Sequence, residues 1–291
     1  MKQTLITLFA LLCCSTLAAQ ESAMPTMDAQ VLGMGGVAMS STNDAHTLFN
    51  NAAMTAFTLS PAKLSASYYG QADFDYYGLS GYWRMGMKST IQAGWRQYLR
   101  EKANNDTAFD VGYTYRVGEQ LSLALVGRYT HIKRPALKAD ALAFDLAAAY
   151  VKPLAWEHYS TLRVGAKLSN LGGFFGEADY HLPMAFKAGA AIETFFSDQH
   201  QLTVGADLGY SFSPKAARGF EAALGAEYNL MQLIQLRAGY HIGEKGTFNP
   251  SYGAVGAGVR FLHLRVDFAY LFAEKQSPLY NTYSISFGLD F

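Results

Sequence analysis

Seven histidines invite a search for a catalytic or metal-ligating set. Serine-type hydrolysis needs a nucleophile, a histidine base and an orienting acid held together. His131, His158, His181, His200, His241 and His263 fall mostly at expected strand ends or in connections. None has a serine beside it with an acid at a workable spacing, so catalysis is not expected. No His/Asp/Glu spacing resembles a metal ligand set, and no cofactor is expected. Gly33-Met34-Gly35-Gly36 has the look of a phosphate-binding loop, but such loops follow a strand and open a helix. Here the run follows an N-terminal leader, and it reads as a tight backbone passage. Chemistry is thus left to a set of charges: Arg128, Asp145, Arg163, Lys167, Asp207, Glu227, Arg237, Arg260, Arg265, Asp267 and Asp290.

These charges alternate with apolar residues, which says what positions them. Leu142, Phe144 and Leu146 flank Asp145; Leu162, Val164 and Leu168 flank Arg163 and Lys167; Leu264, Val266 and Phe268 flank Arg265 and Asp267. A two-residue period puts one class on each face of a β-strand. One face is nearly free of charge, and the other carries charge of both signs among Gly and Ala. Mixed signs point to mutual ion pairs that keep an interior polar and rigid, and no single-sign ring suggests ion selectivity.

Alternation alone would also suit a soluble sandwich. The composition argues otherwise: 16% of residues are charged, against about 25% in an ordinary soluble domain, while Tyr and Phe number 19 each. Tyr77, Trp83, Trp95, Tyr113, Tyr115, Tyr150, Tyr210, Tyr240 and Tyr270 cap the apolar positions, as the aromatic girdles of a membrane barrel do. Zero net charge supplies no basic face for nucleic acid, which is excluded as a partner.

Lys2, the apolar run Leu5–Leu12 and the small residues up to Ala19 read as a signal peptide over residues 1–20, because so short a run cannot span a bilayer. Cys13 and Cys14, the only two cysteines, fall inside it, which leaves the exported chain without thiol chemistry. With no long apolar run after the leader, a membrane can be crossed only by a closed β-barrel. Short connections are expected at 86–88, 117–120, 152–158, 197–200, 230–232 and 261–263. Longer polar ones are expected at 70–74, 101–106, 133–138, 170–183, 213–218, 242–250 and 273–278. That rhythm predicts an all-β fold, a transmembrane antiparallel barrel of about fourteen strands over residues 61–291. Its last strand, Tyr283, Ile285, Phe287, Leu289 and Phe291, has the alternating aromatic end expected of a C-terminal assembly signal.

A lumen of this size is too wide for Gly and Ala to fill. Residues 21–60 are the natural plug, partly helical, with a helix-compatible run from Asp44 to Phe57. The plug residues expected to matter are Gly33, Gly35, Gly36, Leu48, Phe49, Asn51 and Phe57.

Three stretches carry a resemblance: Gly33-Met34-Gly35-Gly36-Val37-Ala38; Asn43-Asp44-Ala45 with Phe49-Asn50-Asn51-Ala52-Ala53-Met54; and Pro278-Leu279-Tyr280-Asn281-Thr282-Tyr283-Ser284-Ile285-Ser286. Together with Leu168-Ser169-Asn170-Leu171-Gly172 and Leu182-Pro183, they resemble the PorV/PorQ family of FadL-like outer-membrane barrels. One departure is that the family's Asn-Pro-Ala reads Asn51-Ala52-Ala53 here. The resemblance implies either a plugged channel for small hydrophobic ligands or a non-transporting scaffold serving type IX secretion or surface attachment. The expected partners are outer-membrane lipid, the barrel assembly machinery, a hydrophobic small-molecule ligand and, on the second reading, secretion-system proteins.

Overall fold

The computed structural model describes residues 26–291 apart from 43–44, 72–73, 101–103, 135–136, 157, 176–181 and 244–249. The expected leader, residues 21–25 of the plug segment, Asn43, Asp44 and His181 lie outside the described residues. Fourteen strands follow a short helical segment: β1 (Ala62–Gln71), β2 (Phe74–Met85), β3 (Ser89–Arg100), β4 (Asn104–Arg116), β5 (Leu121–Arg134), β6 (Leu137–Leu154), β7 (Tyr159–Phe175), β8 (Met184–Ser197), β9 (His200–Ser213), β10 (Gly219–Leu230), β11 (Ile234–Ile242), β12 (Tyr252–Phe261), β13 (Leu264–Phe272) and β14 (Tyr283–Asp290). Each pairs with its sequence neighbours, and β14 returns to β1 from Lys63↔Asp290 to Gly70↔Tyr283. The sheet therefore closes with no free edge, as a spanning sheet in hydrocarbon must.

The burial pattern is that of a barrel in lipid. On β5 Leu121, Leu123 and Leu125 are exposed on the outside, while Ser122, Ala124 and Val126 are buried inside. The same inversion places Trp83, Tyr113, Tyr210, Tyr240 and Phe287 outward and Ser80, Thr114, Asp207, Gln235 and Ser286 inward. Among the described residues no helix is long and apolar enough to cross a membrane.

At the end holding Ala62 and Asp290, the strands are joined through 86–88, 117–120, 155–158, 198–199, 231–233 and 262–263. This is the inner end by the short-turn rule. At the outer end the connections 176–183, 214–218, 243–251 and 273–282 are longer, but 72–73, 101–103 and 135–136 are not. Of the polar stretches 70–74, 101–106 and 133–138, expected as loops, the described residues 70–71, 74, 104–106, 133–134 and 137–138 are strand. Backbone pairing runs on past the apolar band there, and only the side chains change to suit water.

The helical segment lies inside. Helix α1 (Ala29–Gly33) is capped by Asp28, whose carboxylate accepts the Gln30 N–H. Helix α2 (Thr47–Asn51) passes directly into a 3-10 helix, Ala52–Phe57, capped by the Asn51 side chain. The run expected as one helix from Asp44 is thus a short helix and a tighter turn, and α1 comes in addition. Gly33-Met34-Gly35-Gly36 ends α1: Gly35 and Gly36 have φ of 69° and 94°, the left-handed conformation that closes helices and suits glycine. A side chain at Gly35 would run into the backbone of Tyr240 on β11, 2.4 Å from its nitrogen.

Candidate ligand cavity above the N-terminal plug

The plug is held by inward-facing polar groups of the barrel strands. Asp207 on β9 accepts the N–H groups of Ala38 (2.6 Å) and Met39 (2.9 Å). Ser286 on β14 accepts the Ala29 N–H, and Ser284 donates to the Met27 carbonyl. Gln30 donates to Glu227 on β10 at 3.0 Å. Asn51 spans from the Met39 carbonyl (2.8 Å) to the Ala148 carbonyl of the wall (3.2 Å). At the inner end Gln92, Thr114 and Ser122 donate to the carbonyls of Ala52 and Ala53. Such bonds satisfy backbone groups that a five-residue helix leaves open.

Packing follows the small residues of the wall. Leu48 is buried against Val126 and Ala124, with Phe49 and Phe57 at the edge of the same cluster. A side chain on Gly94 or Gly112 would collide with Leu48, and one on Gly239 would lie 2.2 Å from the Met34 carbonyl carbon. Phe57 at the inner rim lies under the Arg116 guanidinium at 5.1 Å. Gly33 packs against Gly256 and Arg237.

Most of the inward charges expected from the sequence fall into pairs and chains. Arg96 and Arg128 share Asp110 (2.9 and 2.7 Å); Arg128 continues to Asp145 at 2.9 Å, which Lys167 approaches at 3.4 Å. Beneath α1, Arg237 joins Glu227 (2.5 Å) to Asp267 (2.7 Å), which also holds Arg265 at 2.6 Å, while Arg260 stands opposite Arg265 in the β12–β13 register. Arg163 pairs with Glu193 at 2.9 Å. Asp290 sits at the inner rim with its side chain 38% exposed, joined to Lys63 at 3.1 Å. It is the last residue of β14, so its place is the mouth and not the interior.

Two arrangements carried no signal along the chain. His46, absent from the histidines singled out above, is buried with Nδ1 2.7 Å from Ser80 Oγ and Nε2 2.6 Å from Ser67 Oγ. Its serine partners lie on two different strands, and Ser67 continues to Ser286 at 2.6 Å. The second is a bulge: β6–β7 register shifts between Phe144 and Leu146, and Asn170 takes φ 61°. Asp145 accepts the Asn170 N–H at 2.8 Å, and the Asn170 amide donates to the Pro183 carbonyl at 2.8 Å. The Leu168–Gly172 and Leu182-Pro183 motifs thus meet at one point of the wall.

Above the plug lies a cavity of about 350 Å³. Its lining includes Tyr69, His241, Tyr252 and Leu271, all near the outer ends of their strands, so it faces the outer side. One side is apolar and aromatic: Leu32 of α1 with Tyr69, Tyr252, Leu271 and Leu279. The plug supplies the floor through Gly36, Ala38, Met39, Phe49 and Asn50, and the opposite wall carries Arg96, Arg128, Lys167 and Lys187. Each of those cations has a carboxylate partner, Lys187 in Glu221 and the other three in the two carboxylates Asp110 and Asp145, which leaves that chain with one positive charge in excess. Phe49 joins both sides, with the Arg96 guanidinium 4.6 Å over its ring and Lys167 donating to its carbonyl at 2.7 Å. Beside the plug a second space of about 10 Å³ is of the size of one water.

No family model matches the chain, and no curated protein matches it by sequence. Solved structures do match in fold. The toluene transporter TbuX of Ralstonia pickettii superposes with a TM-score of 0.59 at 13% identity, covering 93% of this chain and 99% of that one. A FadL homologue of Pseudomonas aeruginosa gives 0.61 at 14% identity, over 92% and 99%. The CymD monoaromatic hydrocarbon channel gives 0.61 at 16%, over 90% and 96%. The chain shares the fold of these transport barrels over nearly its whole described length.

Proposed function

We propose that the chain is a plugged outer-membrane channel for small hydrophobic molecules, of the FadL-like type. The observation that carries this reading is the outer cavity, walled by Leu32, Tyr69, Tyr252 and Leu271 and floored by the plug. Its volume is within the usual range for small-molecule pockets. Support comes from the fold shared with a toluene transporter and a monoaromatic hydrocarbon channel. The leader read over residues 1–20 and the apolar exterior support the outer membrane as the location. The PorV/PorQ placement rests on the sequence motifs quoted above.

The apolar and aromatic side of the cavity favours an uncharged or weakly polar solute over an inorganic ion. Because the plug closes the lumen beneath the cavity, passage requires a local rearrangement of residues 26–57. Phe49 is the residue to test, since it meets both the cavity and the apolar cluster that seats α2. Proteoliposomes containing the intact protein should take up a monoaromatic solute faster than empty ones, and Phe49→Ala should alter that rate while leaving a heat-modifiable, folded barrel. Equal uptake with and without protein, for a panel of apolar solutes, would remove the transport reading and favour the scaffold.

A further inference from the structure

On the outside of the barrel, the β5–β6 ladder places Lys133 directly opposite Lys138. Both follow the outward parity of their strands, continuing Leu125, Tyr129 and His131 on β5 and Asp140, Leu142 and Phe144 on β6, and both are exposed. Like charges directly opposite destabilise a strand pair. Among the described residues, the carboxylate one register step below is Asp140, whose Oδ1 accepts the Tyr129 hydroxyl at 2.5 Å and meets His131 Nδ1 at 2.7 Å. Among the described residues, neither lysine has a hydrogen bond or ion pair.

Height decides what can answer this charge. Tyr129 and Leu142 face each other across the ladder at the top of the apolar band, where a tyrosine sits at the membrane interface. Lys133 is four residues further along β5, about 13 Å of strand, or roughly 10 Å along the normal at a barrel's tilt. That is the head-group layer, not bulk water and not hydrocarbon. Directly opposed residues have Cα atoms about 5 Å apart, so two ammonium groups can close on one phosphate.

We propose that Lys133 and Lys138 form a docking site on the outer wall for a phosphate-bearing lipid head group of the outer leaflet. The Tyr129–Asp140–His131 network beneath ties one oxygen of the local carboxylate to the tyrosine and histidine, and Leu142 and Phe144 receive the acyl chains. The site rests on the outer-membrane placement proposed above and not on the passage of any solute, so a failed transport assay leaves it standing.

The test uses the full exported chain in detergent, with diphosphoryl lipid A and the same lipid stripped of its phosphates as probes, read by native mass spectrometry. The intact protein should bind the phosphorylated lipid roughly tenfold or more tightly than the stripped one. Lys133→Gln/Lys138→Gln should lose that difference, and Lys133→Arg/Lys138→Arg should keep it, which separates charge from folding if the glutamine pair assembles poorly. Equal binding of both lipids by the intact protein, or an unchanged preference in the glutamine pair, would overturn the proposal. Displacement of the lipid by millimolar inorganic phosphate would also overturn it, by showing a site for a free anion.

Discussion

Asp145 shows how much one inward carboxylate can organise. It is 1% exposed, and it receives Arg128 at 2.9 Å, Lys167 at 3.4 Å and the Asn170 N–H at 2.8 Å. Its neighbour Leu146 faces lipid, 48% exposed. Leu146→Arg should cost about 2–4 kcal/mol near the mid-plane. From alternation alone, Asp145→Asn should cost much less, unless it strands a buried cation. The structure meets that condition, because Arg96 and Arg128 would then share Asp110 alone and Lys167 would lose its carboxylate among the described residues. Breaking a buried pair from one side costs about 3–5 kcal/mol, so the two variants should lose comparable stability in urea unfolding from liposomes. Adding Lys167→Met to Asp145→Asn should recover part of the loss while adding it to Leu146→Arg should not. Additive losses in both backgrounds would show that Lys167 and Asp145 are not coupled.

The strands were readable because lipid outside and polar groups inside impose the same two-residue period on every crossing. That signal stops at the membrane surface, which is why 101–106 and 133–138 read as loops although their described residues, 104–106, 133–134 and 137–138, belong to β4, β5 and β6. The plug was readable as an occupant, from the Gly and Ala of the inner wall, but its two helices were not. Each is five residues long, too short for a periodic face, and their caps and wall bonds supply what propensity lacks. The cavity wall was hidden for another reason: Tyr69, Tyr252 and Leu271 come from three strands and from positions whose neighbours point to lipid. Inward apolar residues at the outer ends of strands break the polar-inside rule, and in retrospect that break was the available signal. At the element scale, β14 closes the barrel, and the Phe291 N–H donates to the Ala62 carbonyl at 3.0 Å. Tyr283, Ile285, Phe287 and Leu289 share its outward parity. Deleting Phe291 should therefore lower the amount of heat-modifiable barrel recovered from outer-membrane fractions, and an unchanged amount would show that the final residue is dispensable for assembly.

At the scale of the whole molecule, wall and plug differ in what holds them. Every strand is paired on both sides by other strands, so the wall needs no hydrogen bond from the plug to close. The plug, in contrast, depends on the wall: its buried Leu48, Met54 and Asn51 contact β3 to β7, and its carbonyls are answered by Gln92, Thr114, Ser122 and Ser284. Removing residues 21–60 should thus leave a folded barrel whose inner glycines, Gly94, Gly112, Gly165 and Gly239 among them, no longer face a partner. Gly leaves no side chain to fill the space, so the truncated protein should show discrete single-channel conductance in planar bilayers while the intact protein stays nearly closed to ions. The paired charges of the wall predict weak ion selectivity in that open state, since Arg237, Glu227, Arg265 and Asp267 present both signs at one level. Conductance equal in the two forms would mean that the plug does not set the resistance of the lumen. Loss of the folded barrel on truncation would mean that the wall depends on its plug, contrary to the pairing that closes it.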